Sequence, residues 1–300
     1  MNKYWLDREL KNIAANIRKD KRTVAELRKL YKRAIDDITE DIEAFYGRYA
    51  KETGMTMEEA KKTIKSEDIR RYEAKAKRYV KERNFSPQAN AEMRKYNVTM
   101  RMSRLELLKI DLELELAALA SDEERIHYER YYQSAVDELK YQSGILGETI
   151  NMNAKNIEKI IYTSFHNATW SDNIWSNQNA LRTELDKLLH RGIIQGLNPR
   201  ELARELRKTV ESSVYNSERL LRTETARIQT DVFVYSAKEV GIDQYEWIAE
   251  PDACDECKEL DGKVFNLKNM VIGENGVPKH PNCRCSQALY FDREEWERNN

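Results

Sequence analysis

The sequence predicts a mostly α protein in which an elongated bundle of long helices is followed by a helical domain that ends in a small β-hairpin unit with a Cys/His cluster. Three observations predict it. Charged residues make up 34% of the 300 residues, with only 10 Gly and 5 Pro, a balance that suits long solvated helices. Between Gly54 and Gly144 there is no glycine, and the only proline is Pro87. All four cysteines fall in the last fifth of the chain, as Cys254-Asp-Glu-Cys257 and Cys283-Arg-Cys285, with His280 three residues ahead of the second pair.

The first region, residues 1–145, reads as helix almost throughout. Thr56 with Glu59 three residues on forms a capping box, and Ser86-Pro87 places a cap residue before a proline at the first helical position. Leu105, Leu108, Leu112, Leu116 and Leu119 recur at helical spacing, and the pattern continues through Ile126 and Tyr131 towards Leu139. A single helix from Met102 to Gln142 would be about 60 Å long at 1.5 Å per residue. Gly144 and Gly147 bracket the expected boundary with a second domain, residues 146–300.

In that second domain helices are expected around 157–166 and 174–194. Asn198-Pro199-Arg200-Glu201 supplies a cap, a proline and an N3 carboxylate for another, and a helix from Ser217 should end at Val240 with Gly241 as its left-handed cap. Only after Gly241 does the period change. Residues 244–249 alternate like a strand, Lys263-Val264-Phe265 looks like its hairpin partner, and 287–291 is a third candidate, so the β unit spans 244–291.

The net charge of −1 conceals a split of +10 over residues 1–110 and −11 over the remainder. A basic half suggests a polyanionic partner. The densest basic run is Arg70 to Arg83, where Arg71, Lys75 and Arg78 share a helix face and are candidate phosphate contacts without base specificity. An ordinary solvated face is the bland alternative. No uncharged run is long enough for a membrane span, and charges stand where a signal peptide would be apolar, so a reducing cytosol is the expected site of synthesis.

Four thiols and one imidazole within 32 residues form a candidate metal site. Two thiolates spaced C-x2-C grip one ion from a single turn, and a second knuckle returned by a hairpin completes a tetrahedron. The donors are Cys254, Cys257 and Cys283 with either His280 or Cys285, and a disulfide pair or free thiols are the alternatives. Four protein ligands would leave no place for a reactive water, so the expected role of zinc is structural. His127-Tyr128-Glu129 imitates part of a deaminase signature, but its surroundings, Glu-Glu-Arg-Ile-His-Tyr-Glu-Arg, read as a solvated helix face. Neither a phosphate loop nor a dinucleotide glycine pattern is present, and no enzyme is expected. In Arg222-Thr223-Glu224, helix-surface pairing of Glu218 with Arg222 and Glu224 with Arg227 is the plain reading. Anchoring of the helix to the metal loop by Arg222 or Glu224 is the sharper one.

The order of these residues resembles a known family. An Arg222-Thr223-Glu224 helix, Trp247 on a strand, the Cys254/Cys257 knuckle, Leu260-Asp-Gly262-Lys-Val-Phe265 and Pro278-Lys-His280-Pro-Asn-Cys283-Arg-Cys285 together resemble the Mu-F-like phage head-morphogenesis family. Lys279 stands where the family usually has a second proline. The resemblance covers about residues 150–290 and is most specific from Arg222 to Cys285. It implies a minor head protein carried inside the virion and docked to the portal protein, with scaffold or major capsid protein and phage DNA as further partners, acting in head assembly, packaging or ejection. A zinc-dependent nucleic-acid enzyme, or a DNA-binding protein ejected with the genome, is the competing reading.

Overall fold

The computed structural model describes residues 3–51, 87–147, 149–165, 167–195 and 199–291. The described residues are mostly helical. Helix α1 spans Lys3–Lys51, α2 Pro87–Leu146, α3 Ala154–Ile161, α4 Trp170–Gln195 and α5 Pro199–Glu239. Strand β1 (Gln244–Ile248) follows, then a single helical turn α6 (Asp255–Lys258), β2 (Val264–Asn266) and β3 (Ser286–Tyr290). Helix α2 begins at Pro87, as the Ser86-Pro87 pair predicts, and runs unbroken through the leucine ladder. The capping box at Thr56 and the candidate contacts Arg71, Lys75 and Arg78 lie outside the described residues.

Local chemistry sets the helix ends. Asn153 caps α3 by accepting from the Asn156 N–H at 2.8 Å. At the start of α4 the Thr169 hydroxyl oxygen accepts from the Asp172 N–H at 3.1 Å while the Asp172 carboxylate accepts from the Thr169 N–H at 2.9 Å, a reciprocal cap. Helix α5 is one element rather than two, because no glycine or proline interrupts the chain between Pro199 and Glu239. It ends at Gly241, whose φ of +74° lets the Gly241 N–H reach the Lys238 carbonyl at 3.2 Å and the Ile242 N–H reach the Ala237 carbonyl at 3.0 Å.

The chain divides into two compact units. The first comprises residues 1–30, 120–177 and 213–300, and the second 31–119 and 178–212. Residues on both sides of the expected boundary at 145/146 therefore share the first unit. In the second unit Leu108, Leu112, Leu116 and Leu119 of α2 are buried along with Tyr31, Ile35 and Ile38 of α1. The Gln178 amide donates to the Tyr31 hydroxyl at 2.9 Å there, and the α2 and α4 pair Arg182–Glu113 closes at 2.6 Å.

The first unit contains the β unit. Its core gathers Val24 and Leu27 of α1, Ile126, Tyr131 and Leu139 of α2, Ile157 and Ile161 of α3, Trp170 and Ile174 of α4, and Leu221, Ile228 and Val232 of α5. His127 belongs to this core, which corrects its reading as a solvated face. It is fully buried, stacked at 6.4 Å on Trp170, with Nδ1 at 2.9 Å from the Glu123 carbonyl and Nε2 at 3.4 Å from the Ser217 carbonyl. The charged string around it misleads because a helix turns every 3.6 residues, so flanking charges leave one position in four facing inward. The three strands form an antiparallel sheet in the order β2-β1-β3, with Tyr245 opposite both Phe265 and Leu289.

Candidate metal centre

Trp247 and Gly262 build the frame on which the site stands. Trp247 is buried at the centre of a small cluster with Ala226, Ala253, Cys257, Val277, Cys283 and Cys285. Its backbone N–H donates to the Lys263 carbonyl and its carbonyl accepts from the Gly262 N–H, both at 2.9 Å. Gly262 sits at φ +73°, a conformation that costs a residue with a Cβ about 1–2 kcal/mol. The Asp261 carboxylate accepts from the Ala249 N–H at 2.8 Å and stiffens the same connection.

The first knuckle lies on α6. Cys254 occupies its N-cap position with an extended backbone (φ −66°, ψ 165°), and the Cys257 and Lys258 N–H groups both turn back onto the Cys254 carbonyl, at 3.1 and 3.0 Å. That turn brings Cys254 and Cys257 to the same side. The second knuckle lies on the loop that follows the cis Val277–Pro278 peptide. There the Cys283 N–H donates to the His280 carbonyl at 3.1 Å, and Asn282 takes a left-handed φ of +66°, which asparagine tolerates better than most residues.

The five sequence-predicted donors come together. His280 Nε2 stands 3.2 Å from Cys254 Sγ and 3.3 Å from Cys257 Sγ, and Cys257 Sγ stands 3.9 Å from Cys283 Sγ. The donors form two triads, Cys254/Cys257/His280 and Cys257/Cys283/Cys285, that share Cys257. All four cysteines are free thiols, with Cys254 exposed and the other three buried. Donor atoms of a tetrahedral thiolate site with bonds near 2.3 Å stand about 3.8 Å apart, so these separations are close to those between ligands of one ion, and each triad supplies three donors.

The electrostatics divide the thiols. Proximity of the Cys257 amide lowers the Cys254 thiol from its usual value. Cys283 is lowered further, chiefly because the Cys285 S–H donates to it, and the same bond raises Cys285 strongly. Burial raises Cys257, helped by the neighbouring Cys283 sulfur. Burial is the largest influence on His280 and pulls it down, but the Pro281 carbonyl, 2.9 Å from Nδ1, and the Cys283 and Cys254 sulfurs together outweigh it and leave the net shift upward. That carbonyl keeps the proton on Nδ1 and turns the Nε2 lone pair to the sulfurs. A cavity of about 520 Å³ bordered by Asn177, Asn216, Arg219, Thr223 and His280 opens against this side of the loop, so solvent reaches the site from there.

Arg222 and Thr223 of α5 hold the loop. The Thr223 hydroxyl oxygen accepts from the Asn282 N–H at 3.1 Å, and Arg222 Nη1 donates to Asn282 Oδ1 at 3.4 Å. Glu224 does something else. It accepts from Arg227 Nε at 2.6 Å, and Arg227 then donates to the Ile160 and Ile161 carbonyls at the end of α3 (3.1 and 3.2 Å) and to Asp231 at 2.7 Å. Helix-surface pairing is therefore the wrong description of Glu224 and Arg227, since both are buried. Sequence reasoning passed over Asn282, Asp261 and Asp231. The one available signal was that Asn282 lies between His280 and Cys283, where a tight knuckle calls for a residue at positive φ.

A helical body closed by a three-stranded unit, with two thiol knuckles brought together and pinned to a long Arg-Thr-Glu helix, is the arrangement these residues define. Residues 183–288 match the family model described as phage Mu protein F like protein, so this segment is similar to that family. Neither the curated proteins nor the solved structures supply a significant match.

Proposed function

We propose that this chain is a phage head protein, a portal-associated minor head protein carried in the virion, whose C-terminal unit is made rigid by one structural zinc and which turns over no substrate of its own. The observation that carries the proposal is the pairing of the two triads through Cys257 with the clamp of Thr223 on Asn282. Together they convert a loop with little core of its own into a fixed extension of α5. Cys254, Cys257, His280 and Cys283 would hold the ion, and Cys285 would donate its S–H to the Cys283 sulfur. Zinc supplies folding free energy at such a site when bound by four protein donors, and no position is left for a substrate. Neighbouring head proteins, the portal first and scaffold or major capsid protein after it, are the partners that a rigid surface of this kind serves.

The test is co-expression of the full chain with the portal protein of the same phage. Co-purification, retained in wild type and weakened when Cys254 and Cys283 are both changed to serine, is the expected outcome. A folded, zinc-loaded chain that leaves the portal untouched overturns the portal assignment.

A further inference from the structure

We propose that the outer face of α1 between Lys11 and Lys29 is a binding surface for the phosphate backbone of duplex DNA. In the first compact unit α1 buries one face only: Glu9, Ile13, Asp20, Val24 and Leu27, which recur at helical spacing. Lys11, Arg18, Arg22 and Lys29 are all exposed and follow one another at spacings of seven, four and seven. At about 100° per residue these four fall within about 40° of one line along the helix, opposite the buried face. The line is about 27 Å long at 1.5 Å per residue. Among the described residues none of the four has an ion-pair partner.

The charge is confined to this helix. Exposed positions from Lys11 to Lys29 hold Lys21 in addition to those four, and Arg28, which is paired with Glu218 at 2.5 Å, against a single exposed acid, Glu26. The exposed face of α2 in the same unit is balanced, with Arg125 paired to both Asp122 and Glu129. The chemistry favours a polyphosphate over a protein. An interface core is depleted of lysine and needs aromatic or aliphatic anchors, whereas Ala25 is the only exposed apolar residue between Lys11 and Lys29. A lipid surface would require the apolar face of the helix, which is already packed in the core. One strand of B-DNA presents a phosphate about every 3.4 Å along its axis, so a 27 Å row of cations meets several. With no side chain positioned to read a base edge, binding would be blind to sequence.

The test uses the full chain and a 30-base-pair duplex of arbitrary sequence, with affinity measured from 50 to 200 mM salt. Wild type is expected to lose about 10²-fold over that range, as four or so phosphate contacts dictate. Each single change, Lys11→Gln, Arg18→Gln, Arg22→Gln or Lys29→Gln, should make the slope of log affinity on log salt shallower by about 0.9, and the four together by about 3 to 4. Lys263→Gln with Lys268→Gln, exposed on the β unit, should leave the slope unchanged. A flat salt dependence in wild type, or a quadruple variant with the wild-type slope and an unchanged circular dichroism spectrum, overturns the proposal. So does a chain that ignores DNA and binds polyglutamate through the same four residues. The stripe shares no residue with the Cys/His cluster, so its failure would leave portal co-purification unaffected.

Discussion

The Thr223 hydroxyl oxygen accepts the backbone N–H of Asn282 at 3.1 Å while its own proton goes to the Arg219 carbonyl at 2.7 Å. Thr223 thus uses both halves of its hydroxyl, one to stay on the helix and one to hold the loop between His280 and Cys283. Thr223→Val keeps the shape and removes the acceptor. The expected loss is about 1 kcal/mol, with a Tm lower by about 2–4 °C in calorimetry. Thr223→Ser should restore most of it; an equal loss in the serine variant would assign the effect to the methyl group instead.

Metal stoichiometry separates the five donors. Protein made in zinc-supplemented medium should carry about one equivalent. Cys254→Ser and Cys283→Ser should each bring it well below one and lower the melting temperature of the C-terminal unit. Cys285→Ser should retain the metal, because Cys285 acts through a hydrogen bond to Cys283. Loss of the ion in Cys285→Ser with retention in His280→Ala would point to an all-cysteine site. Wild type with no metal at all makes a disulfide the better account.

Arg227 is the buried charge on which α3, α5 and the Glu224 carboxylate converge. Arg227→Ala leaves Glu224 buried without this partner and takes one donor from each of two α3 carbonyls, a loss of about 3–5 kcal/mol. Urea denaturation followed by tryptophan fluorescence measures it, with Trp170 in the adjoining core as one reporter. A loss under about 1 kcal/mol would show that water replaces the guanidinium.

Two buried carboxyls make the first unit sensitive to alkali. Burial pushes Glu138 up to about 8, and the nearby Glu9 carboxyl adds to it. The hydrogen bonds that reach the pair come from neutral donors, Gln142 to Glu138 and Tyr141 and Ser286 to Glu9. The folded value lies above the unfolded one, so the contribution to stability is whole below the ordinary carboxyl value of 4.5 and is lost as pH rises through about 8. Glu138→Gln removes the titration. Its urea midpoint should exceed that of wild type at pH 9 and converge with it at pH 5; parallel profiles would rule Glu138 out as the cause.

Much of the architecture was legible because its causes are local. The glycine-free run after Pro87, the start at Pro199 and Gly241 act within a few residues of themselves, and so does the switch from helical spacing to alternation at Gln244. The convergence of Cys254, Cys257, His280, Cys283 and Cys285 was legible as well, since two short knuckles joined by a hairpin return to one another. His127 and Glu224 were misjudged for a common reason. Both lie among charged neighbours, and which face of a long helix is covered depends on what packs against it.

By itself the sequence determined the helix starts at Pro87 and Pro199 and the stop before Gly241, which segment becomes sheet, and which five side chains meet. Only the tertiary structure decided that residues 1–30 pack with 120–177 and 213–300, that His280 presents Nε2 to the thiols, and that Thr223 clamps Asn282. The physical reason is range. Capping, turn geometry and knuckle spacing are satisfied by neighbours in the chain, whereas burial and hydrogen bonding at Thr223 and Asn282 depend on partners 59 residues apart, which no local pattern specifies.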